Sequence, residues 1–168
     1  IIVFLITLAF ASCSADKTDL TLKTGAENTT EYMPLLEGKR VAVVANQTSM
    51  VGNTHLVDTL LSYATDIRVI FAPEHGFRDL ADAGANITSG TDPVTGIEVI
   101  SLYGAKKKPA PEDLAGIDVV VFDIQDVGTR FYTYLTTMCY VMEACAENGK
   151  SFVVLDRPNP NGYYVDGP

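Results

Sequence analysis

Glu74 sits in the segment Pro73-Glu-His-Gly-Phe-Arg-Asp79, directly after the apolar run Arg68–Ala72. Its neighbours Phe71, Ala72, Pro73 and Phe77 are apolar, and a carboxyl group in such a setting suits general-acid work. The chain then runs through a long Gly- and Ala-rich stretch before the next apolar run. Loops of that length in compact domains are usually functional or disordered. Glu74 is therefore the leading catalytic candidate, with His75 and Arg78 beside it as candidate ligand contacts. A second segment, Gln125-Asp-Val-Gly-Thr-Arg-Phe-Tyr-Thr-Tyr134, mixes polar and aromatic groups at a loop-to-helix junction. Such mixtures bind sugars, because bidentate side chains hold hydroxyls and aromatic faces cover the C–H surface of the ring. A helix N-terminus favours an anion there, and Arg130 adds a fixed positive charge. Tyr132 is the aromatic candidate, although at least one of Phe131, Tyr132 and Tyr134 is expected to be core.

These segments need elements to hold them. Val41–Ala45, Arg68–Ala72, Ile97–Leu102, Ile117–Phe122 and Phe152–Leu155 are short continuous apolar runs, the pattern of strands buried on both faces. Helices are predicted over His55–Ala64, Pro111–Ala115 and Phe131–Glu147, the last with Leu135, Met138, Cys139 and Met142 on its buried side. Alternation of this kind implies a Rossmann-like, doubly wound, mainly parallel sheet with helices on both faces. In such a sheet the residues after each strand share one edge, where open α/β folds bind ligands. Asn46, Gln47 and Thr48 follow the first strand, Glu74 to Asp79 the second, Asp123 to Arg130 the fourth, and Asp156-Arg157-Pro-Asn-Pro-Asn161 the fifth. Thr48, Asp123 and Asp156 are equally readable as caps and turns, and Asn159–Gly162 as turn chemistry first. The Gly-rich dinucleotide fingerprint and the phosphate-cradling P-loop are absent, as is the Gly-x-Ser-x-Gly elbow of serine hydrolases. With two His residues and no Cys/His metal spacing, neither a metal nor a cofactor is expected.

The 168 residues are 47% hydrophobic and 20% charged, with a formal net charge of −9. That balance suits a globular domain and disfavours nucleic acid, which needs clustered cations. The single basic run, Lys106-Lys107-Lys108, reads as a solvated loop. Ile1–Phe10 is almost purely apolar but shorter than the ~20 residues that span a bilayer. It suits the core of a signal peptide. Small residues and then Cys13 follow, as in a bacterial lipobox. The expected organisation is therefore a signal remnant over 1–12, a lipidated Cys13 with a flexible tether over 13–34, and a domain over 35–168 that lacks its C-terminal continuation. The expected location is the cell envelope, periplasmic or anchored to the outer membrane. Cys139 and Cys145 point in different directions on a helix, so no mutual disulfide is expected.

Val44-Ala-Asn-Gln-Thr48, Phe71-Ala-Pro-Glu-His-Gly-Phe-Arg78, Val121-Phe-Asp-Ile-Gln-Asp-Val-Gly-Thr-Arg-Phe-Tyr-Thr-Tyr134 and Leu155-Asp-Arg-Pro-Asn-Pro160, in this order and spacing, resemble the exo-β-N-acetylmuramidase family of glycoside hydrolases. The resemblance spans residues 35 to 168. It implies a Rossmann-like N-terminal domain paired with a C-terminal one, and release of N-acetylmuramic acid from the non-reducing ends of peptidoglycan fragments. It implies that Glu74 is the catalytic Glu, with Asn46, His75, Gln125, Asp126 and Arg130 around the substrate. Glycoside hydrolysis usually pairs two carboxyl groups. Asp126 leads as the partner, ahead of Asp79, Asp123 and Asp156. Muramic acid carries a lactyl carboxylate, for which Arg130 is the first candidate cation, then Arg78 and Arg157. The alternative is a surface lipoprotein that binds glycans without turning them over.

Overall fold

The computed structural model describes residues 22–78 and 89–167. The signal remnant, Cys13 and Asp79 lie outside these residues. Strand β1 (Arg40–Ala45) leads into a small antiparallel hairpin, β2 (Met50–Val51) and β3 (Thr54–His55), and helix α2 (Leu56–Ser62) returns the chain to β4 (Asp66–Ala72). After β5 (Gly90–Thr91) and β6 (Glu98–Ser101) come β7 (Val119–Asp123), helix α3 (Tyr134–Glu147) and β8 (Ser151–Val154). The main sheet has the order β5-β6-β4-β1-β7-β8, parallel throughout except for β5. This is the expected mainly parallel α/β architecture. Chain order reverses about β1: β4 lies on one side of it and β7 on the other.

Strand alternation splits the core into two layers. Val41, Val43, Ala45, Val119 and Val121 face one way, with Leu56, Val57 and Leu60 of α2. Ala42, Val44, Val120 and Phe122 face the other, with Val141, Ala144 and Cys145 of α3. A sheet buried on both faces needs apolar residues at consecutive positions, which is why these strands read as continuous runs.

Four expectations need correction. The tether does not extend to residue 34. A 3-10 turn over Gly25–Glu27, capped by Thr24, and helix α1 (Thr29–Leu36) precede β1. Ala26, Tyr32 and Leu36 belong to the first core layer, and burial pushes the Tyr32 hydroxyl up to about 12. The Pro111–Ala115 helix is instead a run of i→i+3 turns, Asp113 to Ala110, Leu114 to Pro111 and Ala115 to Glu112. Helix α3 starts three residues later than expected, because a turn joining Tyr132 N–H to Thr129 C=O occupies the junction. Its buried face is also rotated: Thr137, Val141, Ala144 and Cys145 face the sheet, while Leu135 and Met142 are exposed. Met138, expected on the buried side, does pack against the second core layer, as does Tyr134. Both cysteines are free, as expected.

The N-terminal turn rests against the end of β8. Gly25 N–H donates to the Asp156 carbonyl at 2.6 Å, and a Cβ at Gly25 would lie 2.6 Å from the Asp156 nitrogen. Backbone cannot yield as a side-chain tip can. Gly25→Ala is therefore expected to destabilise the domain by about 1–3 kcal/mol, read as a fall in melting temperature of roughly 2–4 °C per kcal/mol.

Candidate active site

Open α/β sheets bind ligands where strand order reverses. Here that point, between the ends of β1 and β7, is filled by the protein itself. Asp123, at the end of β7, is fully buried. Arg157, after β8, grips it through Nε and Nη2, and Nη2 also donates to the Met50 carbonyl at 2.8 Å. The Ser49 hydroxyl donates to the Asp123 carbonyl. Burial pushes the Asp123 carboxyl up, and the Arg157 guanidinium opposes that shift. Arg157, expected to bind substrate, is thus occupied by a buried pair. Removing one member of such a pair costs about 3–5 kcal/mol, because the other charge is left buried and alone.

Asn46 is likewise committed. It is 1% exposed, and its Oδ1 accepts from both the Thr48 backbone N–H and the Thr48 hydroxyl. Its carbonyl is bonded by His55 Nε2 at 2.9 Å. His55 Nδ1 accepts from Val57 N–H, so the ring is neutral with its proton on Nε2. Burial lowers the His55 pKa accordingly. Asn46 organises the site rather than facing it.

The unfilled space lies one strand over. Beyond β4 the chain turns sharply at Pro73–Gly76, closed by a bond from Gly76 N–H to the Pro73 carbonyl at 3.1 Å. His75 holds the third turn position with φ +72°, a left-handed conformation favouring glycine. Glu74, half-buried, accepts a hydrogen bond from the Thr133 hydroxyl at 2.9 Å on Oε2. Tyr103 lies beside Glu74, whose carboxylate raises the tyrosine's pKa. Glu74, Tyr103, Lys107, Thr133, Thr136 and Tyr140 surround a cavity of about 150 Å³. Tyr103, Lys107 and Thr133 are additions to the expected site. Tyr103 follows β6 at the same sheet edge, so the strand-end rule that finds Glu74 also finds it. Thr133 reaches Glu74 because its backbone is helical, which leaves its hydroxyl free of capping work.

Arg78 fastens this turn. It bonds Asp58 of α2 bidentately, at 2.8 and 2.6 Å, and its Nε lies 3.1 Å from buried Asp92. Its guanidinium also lies over the Phe77 ring. It is a clamp, not the expected substrate contact. The remaining candidates do not line this cavity. Gln125 Nε2 donates to the Pro158 carbonyl and joins two loops. Asp126 is exposed and accepts from Gly128 N–H at 3.2 Å. Asp156 accepts from Arg157 N–H. Arg130 lines a separate groove of about 790 Å³ with Asn159, Asn161 and Tyr164. Phe131 and Tyr132 are exposed and stack at 5.4 Å, whereas Tyr134 packs against the core.

The clamp is pH-dependent in a defined direction. The Arg78 hydrogen bonds hold Asp58 below the usual carboxylate range. At Asp92, burial pushes up but is outweighed by bonds from Thr95 and Arg78, so it too is lowered. A carboxylate depressed in the folded state stabilises above its unfolded pKa of about 4 and loses that stabilisation as pH falls through its folded value. Asp58→Asn should therefore cost roughly 1.5–3 kcal/mol at neutral pH. Its melting curve should converge on wild type as pH falls through the lowered folded-state value of Asp58.

Residues 41–168 match the model of the family described as exo-β-N-acetylmuramidase NamZ, N-terminal. The chain is 46% identical to the peptidoglycan β-N-acetylmuramidase NamZ of Bacillus subtilis (strain 168), over 96% of this chain and 41% of that protein. Two crystal structures of DUF1343 family proteins from Bacteroides fragilis superpose with TM-scores of 0.73 and 0.76, at 47% and 44% identity. Each match covers 86% of this chain and 37% of the other. The chain thus spans well under half the length of these relatives. With the matched segment containing the Glu74 turn, the Asp123–Arg157 pair and every strand of the parallel core, the chain belongs to the exo-β-N-acetylmuramidase NamZ family through that family's N-terminal domain.

Proposed function

We propose that the protein is an exo-acting glycoside hydrolase that releases N-acetylmuramic acid from the non-reducing ends of peptidoglycan fragments, in cell-wall turnover. The observation that carries this reading is Glu74: a half-buried carboxyl group at the carboxyl end of a parallel strand, beside a cavity, held on Oε2 by the Thr133 hydroxyl. The relative of 46% identity is named a peptidoglycan β-N-acetylmuramidase. In the proposed reaction Glu74 donates a proton to the glycosidic oxygen as the bond to the anomeric carbon breaks, and water adds to that carbon and gives its proton to a second carboxylate, for which Asp126 is the candidate. Thr133 holds Oε2, which leaves Oε1 to carry the proton that Glu74 donates. The fixed turn and the Arg78 clamp keep the acid in place as charge develops.

Glu74→Gln preserves shape and hydrogen bonding but removes the proton. In the natural full-length protein it is expected to lower kcat on an aryl β-N-acetylmuraminide about 10²–10⁴-fold, with the melting temperature unchanged. Undiminished turnover would overturn the assignment. Binding without turnover in the wild type would favour the glycan-binding alternative. Asp126→Asn keeps the turn at Gly128, so a loss of turnover there reports chemistry rather than folding.

We infer further that the protein is exported and anchored through a lipid on Cys13, on the support of the apolar run Ile1–Phe10 and the small residues before the cysteine. Cys13→Ser is expected to move the protein from the membrane to the soluble fraction of the envelope. Retention at the membrane would contradict the anchor.

A further inference from the structure

The run Lys106-Lys107-Lys108 is not a uniform solvated patch. Lys106 Nζ pairs with Asp113 at 2.7 Å, within the turns that precede β7. Lys108 Nζ pairs with Glu143 at 2.9 Å and Glu147 at 2.7 Å, both on α3. Lys107, between them, makes no ion pair among the described residues and lines the Glu74 cavity. The loop is therefore tied on both sides of the one lysine that reaches the acid's surroundings. Lys107 does not neutralise Glu74 at contact distance either. The cavity thus presents an acid and a separate cation.

A cavity of about 150 Å³ is smaller than the roughly 300–1,000 Å³ of sites that enclose a drug-sized ligand. It suits one sugar ring or one substituent of a ring. An ammonium in a hydroxyl-lined recess recognises a carboxylate by charge-assisted hydrogen bonding, and Thr136, Tyr140 and Tyr103 supply hydroxyls there. The expected cations perform this task less well. Arg78 and Arg157 are held by aspartates, and Arg130 opens on another groove.

We propose that Lys107 binds the carboxylate of the substrate's acidic arm and so sets the preference for an acid-bearing amino sugar over the neutral one. This rests on the glycosidase reading of Glu74, and it assigns specificity to a residue that takes no part in proton transfer. In muramic acid the arm is the lactyl ether on O3, whereas N-acetylglucosamine has a hydroxyl at that position. The acid is thereby oriented with the ring as the glycosidic oxygen meets Glu74.

The test uses the natural full-length protein with aryl β-glycosides of N-acetylmuramic acid and of N-acetylglucosamine. Lys107→Met keeps the aliphatic stem and removes the charge. It should raise KM for the muraminide about tenfold or more, with kcat little changed, and leave KM for the glucosaminide unaltered. Lys107→Arg should restore most of the discrimination. Calorimetric titration with free N-acetylmuramic acid gives a readout that needs no turnover, and the same loss of affinity is expected. Binding of N-acetylmuramic acid that weakens in Lys107→Met supports the inference even where Glu74→Gln shows the catalytic assignment to be wrong. An unchanged KM and affinity in Lys107→Met would overturn it. So would an equal effect on both glycosides, or loss of discrimination in Arg130→Met instead.

Discussion

The Arg157 guanidinium does three things at once. It neutralises a carboxylate that has no access to water, holds the carbonyl of the β2–β3 hairpin, and brings the segment after β8 across the end of β7. Placing both charges in the interior carries a desolvation cost that only excellent geometry offsets. The geometry here is bidentate, and a hydroxyl from Ser49 occupies the neighbouring carbonyl. With the reversal point closed by this pair, the Glu74 cavity lies to one side of it, toward β4, β6 and the start of α3, and the Arg130 groove to the other, among the loops after β7 and β8. The position of the candidate site follows from that closure.

A second constraint acts on Glu74 itself. A left-handed non-glycine residue costs on the order of 1–3 kcal/mol and persists only where its surroundings hold it. His75 is in that state one residue after the acid, and Arg78 ties the following segment to α2 and to Asp92. Strain and clamp together fix the direction in which the carboxyl projects. The Thr133 hydroxyl then holds its Oε2.

The parallel core was legible because burial on both faces demands consecutive apolar residues, and β1, β4 and β7 supply them without interruption. The hairpin β2–β3 was not, since each strand has two residues. Its signal was the two-residue Gly52-Asn53 loop, with Gly52 at positive φ. Helix α1 was concealed by Pro34 in its interior. Hydrophobicity puts Leu135 and Met142 on the buried side of α3, whereas the face that packs on the sheet carries Thr137, Val141, Ala144 and Cys145. Glu74 was found by a rule about strand ends that also finds Tyr103 after β6. The arginines show where sequence reasoning stops. A guanidinium after a strand looks the same whether it awaits an anionic ligand or is already held by Asp92 or Asp123, and the partners come from residues 14 and 34 positions away. The lysines show the converse: three identical residues in a row acquire different tasks only through what lies opposite each of them.

The seating of Gly25 against Asp156 has a consequence for orientation. The described chain enters the domain at the rim of the sheet that bears Glu74, not at the opposite rim or along a flank. The same Gly25 contact that stabilises the fold holds the start of the described chain at the edge where the strand ends gather.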